Sequence, residues 1–439
     1  MKKYISLTLS LIVSQWLTAQ DTLTLQQCIV RAIEQSFEVK ILQNEEQIAR
    51  NNFTKGNAGY LPNINGNVGA SGHLWQWKEA TDATHNEEYL ANVGVDWNVF
   101  DGHKKQAAYE WLREMQHKGE LNTRLAIETL ISEITTLYYD LVQRNINTDN
   151  MKESLKLSRH RLRIAKEKFL LGACSRLEVL QAEVDFNADS SAYAVYVEGT
   201  QQLKFKFKQR LQIPCLQDFV VADSVILLQS DLDMQVLHGK ALLQNIRLQV
   251  YDKNRAIAEW ERKQTESTRY PQIKLNGSYG YLGTPYDAPN RVGLTYGATL
   301  GIKIYDGANQ RRLENNAKLQ QKNRELEYQQ EELQVLTDLH SLYSSYKNYL
   351  NLLQLETNNS QLAKEKAGLA LEQYQLGQLS SLEMREFQRT MLEAQNRLTT
   401  ALYQAKYAEI NLMELCAMAS TYLNVPDDAP KPIQLIIDN

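Results

Sequence analysis

The chain has 439 residues, with 48 basic and 52 acidic side chains, a formal net charge of −4 and 43% hydrophobic residues. This supplies apolar material for one large or two ordinary domains, and the missing basic surplus argues against nucleic acid as a partner. Mean hydropathy is −0.46, and beyond the N-terminus no apolar run is long enough for a membrane-spanning helix, which excludes a helical membrane protein.

Met1-Lys2-Lys3 forms a positive start, followed by an apolar stretch from Tyr4 to Leu17 and then Thr18-Ala19-Gln20. That is the plan of a secretory signal peptide over 1–20, cleaved after Ala19 or Gln20. The mature protein is therefore expected in the cell envelope or outside.

A first repeat is expected over 21–212. It holds a helix at 24–57, strands at 63–74 and 90–100, a long helix at 103–170 and a helix at 177–212. A linker at 213–233 leads into a second repeat over 234–424. There the expected order is helix 234–267, strands 272–282 and 292–304, long helix 308–375 and helix 382–423, before an extended tail at 425–439. The duplication rests on matching markers. Ala32 and Pro62 recur as Ala241 and Pro271, 209 residues on. Phe100-Asp101-Gly102 recurs as Tyr305-Asp306-Gly307, and Phe169 to Gly172 as Tyr374 to Gly377, both 205 residues on. Leu177-Glu178 returns as Leu382-Glu383. An insertion in the first repeat, between Pro62 and Asp101, accounts for the change of offset.

No proline falls between 63 and 213 or between 290 and 425. An interior proline costs a helix about 3 kcal/mol, so both stretches are free to form very long helices. The runs 103–170 and 308–375 each have 68 residues and one internal glycine; at about 1.5 Å per residue each spans roughly 100 Å. Leu336, Leu339, Tyr343, Tyr346, Leu350 and Leu353 alternate spacings of three and four, a coiled-coil seam. At Leu171-Gly172 and Leu376-Gly377 a glycine ends one helix. Ser175 to Glu178 and Ser380 to Glu383 then fit capping boxes that open the next. Each turn reads as the tip of a helical hairpin.

Between the helices the period becomes two. Ile64, Val68, Ala70 and Leu74 alternate with polar residues, as do Val93, Val95, Trp97 and Val99. The same holds for Ile273, Leu275, Tyr279 and Tyr281, and for Val292, Leu294, Tyr296, Leu300 and Ile302. Strands of this length on an exported chain match a transmembrane β-barrel, although a capped soluble β-domain would alternate too. In lipid the sheet must close. Four strands are too few, so copies must join, two giving eight strands and three giving twelve. The polar stretch from Trp75 to Tyr89 and the segment Gly283 to Arg291 are expected as external loops.

Cys28, Cys174, Cys215 and Cys416 stand far apart, and the histidines show no ligand spacing. No P-loop, HExxH or GxSxG pattern occurs, so an enzyme, a metal site and a bound cofactor are not expected.

In this order and spacing, the Leu61-Pro62 and Tyr270-Pro271 strand entries, the Asp-Gly exits and the Leu-Gly tips make the chain resemble the TolC-like outer-membrane efflux proteins. The resemblance covers essentially the whole mature length. It implies a mostly α, α+β fold: a tandem repeat of long antiparallel helical hairpins forming an α-barrel, with four transmembrane strands per chain in a trimeric 12-stranded β-barrel. It further implies a homotrimer in outer-membrane lipid. This would be a passive conduit of a tripartite efflux or secretion system, joined through a periplasmic adaptor protein to an inner-membrane pump. Leu171, Gly172, Leu376 and Gly377 would be the adaptor-facing tips. Tyr374 corresponds to a family aromatic that holds the closed form, and Glu383 and Glu386 to acids lining a periplasmic constriction. Glu178 is the first-repeat counterpart of Glu383, while Gln181 stands where a second acid would. The family's basic residue two after the tip glycine, a partner in its closing ion pair, is Leu379 here, a departure from the pattern that leaves ion-pair closure open. Glu383 is also the third residue of a capping box, a role that needs no pore. The rival architecture is a trimeric surface stalk or adhesin without conductance.

Overall fold

The computed structural model describes residues 21–75, 84–229, 232–284 and 288–423. The leader, the C-terminal tail and the outer ends of both expected sheet loops lie outside the described residues. In chain order the elements are β1 (Asp21–Leu23), α1 (Leu25–Gln35), α2 (Phe37–Asn52), β2 (Asn63–Trp75), β3 (Thr84–Phe100), α3 (Lys104–Leu170) and α4 (Arg176–Arg210). They continue with β4 (Phe219–Val221), α5 (Met234–Gln244), α6 (Ile246–Ser267), β5 (Gln272–Thr284), β6 (Ala288–Gly301), α7 (Asn309–Gln375) and α8 (Ser381–Leu415), followed by a 3₁₀ turn at Ala419–Leu423. The fold is a mostly helical α+β fold, with α3 and α7 of 67 residues each.

Two expected helices are broken. The helix expected at 24–57 is α1 and α2, interrupted at Ser36; that expected at 234–267 is α5 and α6, interrupted at Asn245. These positions are 209 residues apart, so the break belongs to the repeat. Ser36 leaves helical geometry (φ −55°, ψ 122°), and its hydroxyl accepts from the Val39 amide at 3.3 Å. Asn245 adopts nearly the same angles and its side chain donates to the Leu415 carbonyl at 2.9 Å. At Ser36 a capping side chain outcompetes continuation of the helix, and at Asn245 the break is tied to the end of α8. The helix expected at 382–423 stops at Leu415, where Ala417 turns to φ 52° and the Met418 amide donates back to the Met413 carbonyl at 2.8 Å. The expected linker contains β4, which pairs in parallel with β1 at Asp21–Phe219, Thr22–Val220 and Leu23–Val221.

The chain forms two compact units, and neither is one repeat. One comprises the described residues of 1–40, 124–246 and 333–439; the other comprises 41–123 and 247–332. In the first, Ile29, Ile131, Ile134, Tyr138, Phe207 and Phe219 form the centre of one core. The Tyr138 hydroxyl ties this core to β1 and β4. It donates to the Leu23 carbonyl at 3.4 Å and accepts from the Asp223 amide at 3.2 Å.

The second unit holds one antiparallel sheet in the order β2-β3-β5-β6. Its strands differ from the expected bounds: β3 reaches back to Thr84, so Glu87 and Glu88 pair with Gly72 and Ser71 instead of lying in a loop. β6 runs from Ala288 to Gly301 and not from 292 to 304. The entries follow Pro62 and Pro271, which supply the extended backbone a strand start tolerates. At its exit, β3 ends against Lys105, whose ammonium donates to the Asn98 and Val99 carbonyls at 2.6 and 3.0 Å. The chain then turns at Gly102 (φ 71°), where a Cβ would stand 2.4 Å from the Ser267 carbonyl oxygen. No other residue fits that corner. The large apolar side chains of the sheet are exposed in the single chain, Val68 at 89% and Tyr296 at 81%.

Candidate functional site

The site is built where α3 meets α4 and α7 meets α8. Both tips close with the same geometry. Gly172 (φ 72°) and Gly377 (φ 77°) adopt the left-handed conformation. The Ala173 amide donates to the Lys168 carbonyl at 2.8 Å, and the Gln378 amide to the Gln373 carbonyl at 3.0 Å. These are Schellman closures, which satisfy the last helical carbonyls. Leu171 and Leu376 stand exposed at the two tips.

The next helices start differently. Ser175 and Ser380 each accept from the amide three residues on, at 3.3 Å. Only the second tip completes the box, with Glu383 Oε2 accepting from the Ser380 amide at 3.0 Å and from its hydroxyl at 2.6 Å. The Ser380 hydroxyl and amide hold the Glu383 carboxyl below the usual carboxylate range. At the first tip the corresponding acid, Glu178, accepts from the Tyr374 hydroxyl at 3.4 Å. One acid is thus used within its own tip, and the other reaches across to the second hairpin.

Tyr374 is fully buried beside Ile164, Ala370 and Met384. Burial, above all, raises its pKa. Lys168 from α3 lies over its ring at 4.3 Å and donates to its carbonyl at 2.5 Å. Such a cation over a ring contributes about 0.5–2 kcal/mol, more as it is desolvated. Leu379 packs against the same cluster. Where the family resemblance predicts a cation, this chain therefore has an apolar contact, and the nearby cation comes from α3. The structure brings Tyr374 and Glu178 together. Glu383 and Glu386 do not join them; Glu386 is exposed and is held by Arg389 at 2.9 and 3.0 Å, which lowers its pKa.

Between about one and four turns from the tips lies a buried polar clasp that the sequence reading missed. Asp189 of α4 receives both arms of Arg385 from α8, at 2.6 and 2.8 Å. It also accepts from the Ser158 hydroxyl of α3. Gln388 of α8, fully buried, donates to Ser154 Oγ at 2.9 Å and Ser158 Oγ at 2.7 Å. Arg161, also fully buried, pairs with Asp185, and its Nε and Nη1 have no hydrogen-bond partner among the described residues. Burial, chiefly, lowers the Arg161 pKa, while the Asp189 hydrogen bonds raise that of Arg385. The sequence signal is faint: Ser154, Ser158 and Arg161 are polar residues at four-then-three spacing, where a seam would be apolar.

The duplicated helical hairpins and the four-stranded sheet define a class of fold, the tandem helix–strand–strand–helix–helix repeat. The family model of outer membrane efflux proteins matches residues 28–202 and 237–417, well over half of the chain. The chain belongs to that family and is an outer-membrane efflux protein. Its fold is that of known outer-membrane channels. It is similar to the CmeC outer membrane channel of Campylobacter jejuni at 16% identity and TM-score 0.81, covering 90% of this chain and 86% of that one. It is similar to the outer-membrane channel OprN at 15% identity and TM-score 0.80, covering 90% and 89%. The outer membrane protein VceC of Vibrio cholerae aligns at 14% identity and TM-score 0.76, covering 90% and 96%. No curated protein sequence matches the chain.

Proposed function

We propose that three copies close one β-barrel in the outer membrane, and that their helical hairpins continue it as a tunnel. The tunnel is a passive conduit of a tripartite efflux or secretion system. Energy comes from an inner-membrane pump, joined by a periplasmic adaptor that contacts the tips at Leu171, Gly172, Leu376 and Gly377. One observation carries this reading: a member of an outer-membrane family has a four-stranded sheet whose outer strands, β2 and β6, have no further strand partner among the described residues. Unpaired backbone groups are not tolerated in lipid, and barrels start at about eight strands. Neighbouring copies are the available closure, and no chemical step is assigned to the chain.

In this reading the tips close the tube at rest. Tyr374 with Glu178 and Lys168 holds the second hairpin to the first, while Glu383 and Glu386 supply negative charge to the constriction. Reconstitution in planar bilayers tests the conduit: it predicts unitary conductance, and a stalk or adhesin gives none. Glu383→Ala combined with Glu386→Ala is expected to weaken block by divalent cations; unchanged block would remove both acids from the constriction.

A further inference from the structure

The register along which one copy joins the next can be read from the internal repeat. Within the hairpins the repeat offsets carry hydrogen-bond register from the Asn63–Asp96 pair as far as Leu282–Arg291, beyond which β5 and β6 shift by one residue. In the first hairpin Asn63 pairs with Asp96. Advancing the first residue by 209 and the second by 205 gives Gln272 and Gly301, which are partners in the second hairpin. The same offsets therefore convert the seam between the two hairpins into the seam they would form in a ring. In the chain, β3 joins β5 with Asp96 opposite Asn276. Advancing Asp96 by 205 gives Gly301, and moving Asn276 back by 209 gives Asn67.

We infer that β6 of one copy pairs antiparallel with β2 of the next at Gly301 opposite Asn67, so that Leu300 meets Val68 and Ala298 meets Ala70. This rests on the proposed closure by identical copies and goes beyond it by fixing the pairing. Two further observations agree. The register sets the exposed apolar side chains Leu300 and Val68 on one face, whereas a slip of one residue would put an apolar side chain opposite a polar one. The corners behave likewise. Gly102 leaves no room for a Cβ beside the Ser267 carbonyl and Tyr270, whereas a Cβ at Gly307, with φ 69°, would meet nothing within 4 Å among the described residues. Moving Ser267 and Tyr270 back by 209 names Ala58 and the exposed Leu61 of the neighbouring copy as what fills that space.

Cysteine pairs test this in the full-length protein, with Cys174 and Cys215 exchanged for Ser and the outer membranes oxidised in place. Leu300→Cys with Val68→Cys, and separately Ala298→Cys with Ala70→Cys, are expected to give covalent dimers and trimers that reducing agent dissolves. Leu300→Cys with Ile64→Cys, displaced by four residues, is expected to cross-link at least about tenfold less, because its Cα atoms lie beyond the roughly 7 Å disulfide limit. A ladder dominated by Leu300 with Ile64 overturns the register and leaves the oligomer intact. No ladder from any pair in a protein that still assembles overturns the β6–β2 seam. No ladder together with a monomer in mild detergent overturns the closed barrel itself.

Discussion

The two long helices α3 and α7 are equal in length, occupy equivalent places in the repeat and meet different surroundings. On α7, Leu319, Leu326 and Leu333, then Leu355, Leu362 and Leu369, recur every seven residues, and all are exposed. Moving back by 205 gives Leu121, Leu157 and Ile164 of α3 as the counterparts of Leu326, Leu362 and Leu369. Those three are half-buried or buried. One copy of the repeated face is thus covered within the chain and the other is open. The sheet repeats the contrast, with β3 and β5 paired on both sides and β2 and β6 on one. Each chain thus leaves one copy of a repeated face and the two outer strands of its sheet uncovered among the described residues, which the proposed ring of identical subunits would cover.

Substitutions on the two faces separate them, and the covered side gives the largest effect. Ile134→Ala removes a fully buried side chain of α3 and is expected to cost about 3–4 kcal/mol, read as a lower thermal midpoint. If this midpoint does not move, α3 is not the packed member of the pair. Asp189→Ala leaves Arg385 and Ser158 without their shared acceptor and is expected to cost about 3 kcal/mol. Asp189→Asn, which keeps an acceptor, should recover part of that loss. Leu362→Ser on the open face should leave the fold of each chain within about 0.5 kcal/mol. It should weaken assembly by about 2 kcal/mol per subunit where a neighbour buries that leucine. Subunit exchange between differently tagged copies measures that difference.

The smallest effect concerns the tip of α8. Hydrogen bonds from Ser380 depress the Glu383 pKa, so the cap contributes fully above the ordinary carboxylate value of about 4.3. Its contribution fades as pH falls through the lower folded value. Protection factors at the Ser380 and Glu383 amides, which remove the intrinsic pH dependence of exchange, should therefore hold at neutral pH and fall only in acid. The corresponding amides of α4, whose box is incomplete, should show a weaker dependence. Equal behaviour at both tips would mean that the reciprocal Glu383 bond contributes nothing.

What the sequence made legible was the part with local signals. Pro62 and Pro271, the Asp-Gly corners, the tip glycines and the alternating strands all act on their own neighbours in the chain. The breaks at Ser36 and Asn245 were written there as well, as capping residues at matching repeat positions. They were obscured because neither proline nor glycine marks them. The clasp around Asp189 was not legible, since it joins residues about 200 positions apart on three helices. The Lys168–Tyr374 contact was hidden for the same reason, and Leu379 signalled only a departure from the family's ion-pair pattern at the second tip. The pairing of β1 with β4 involves three-residue strands, too short to show periodicity.

The central claim is that several identical chains jointly close the sheet that each leaves open. Native mass spectrometry of the full-length protein, released from detergent micelles, tests it most directly. The account predicts a single species of three subunits. A monodisperse monomer, stable without detergent, would contradict it.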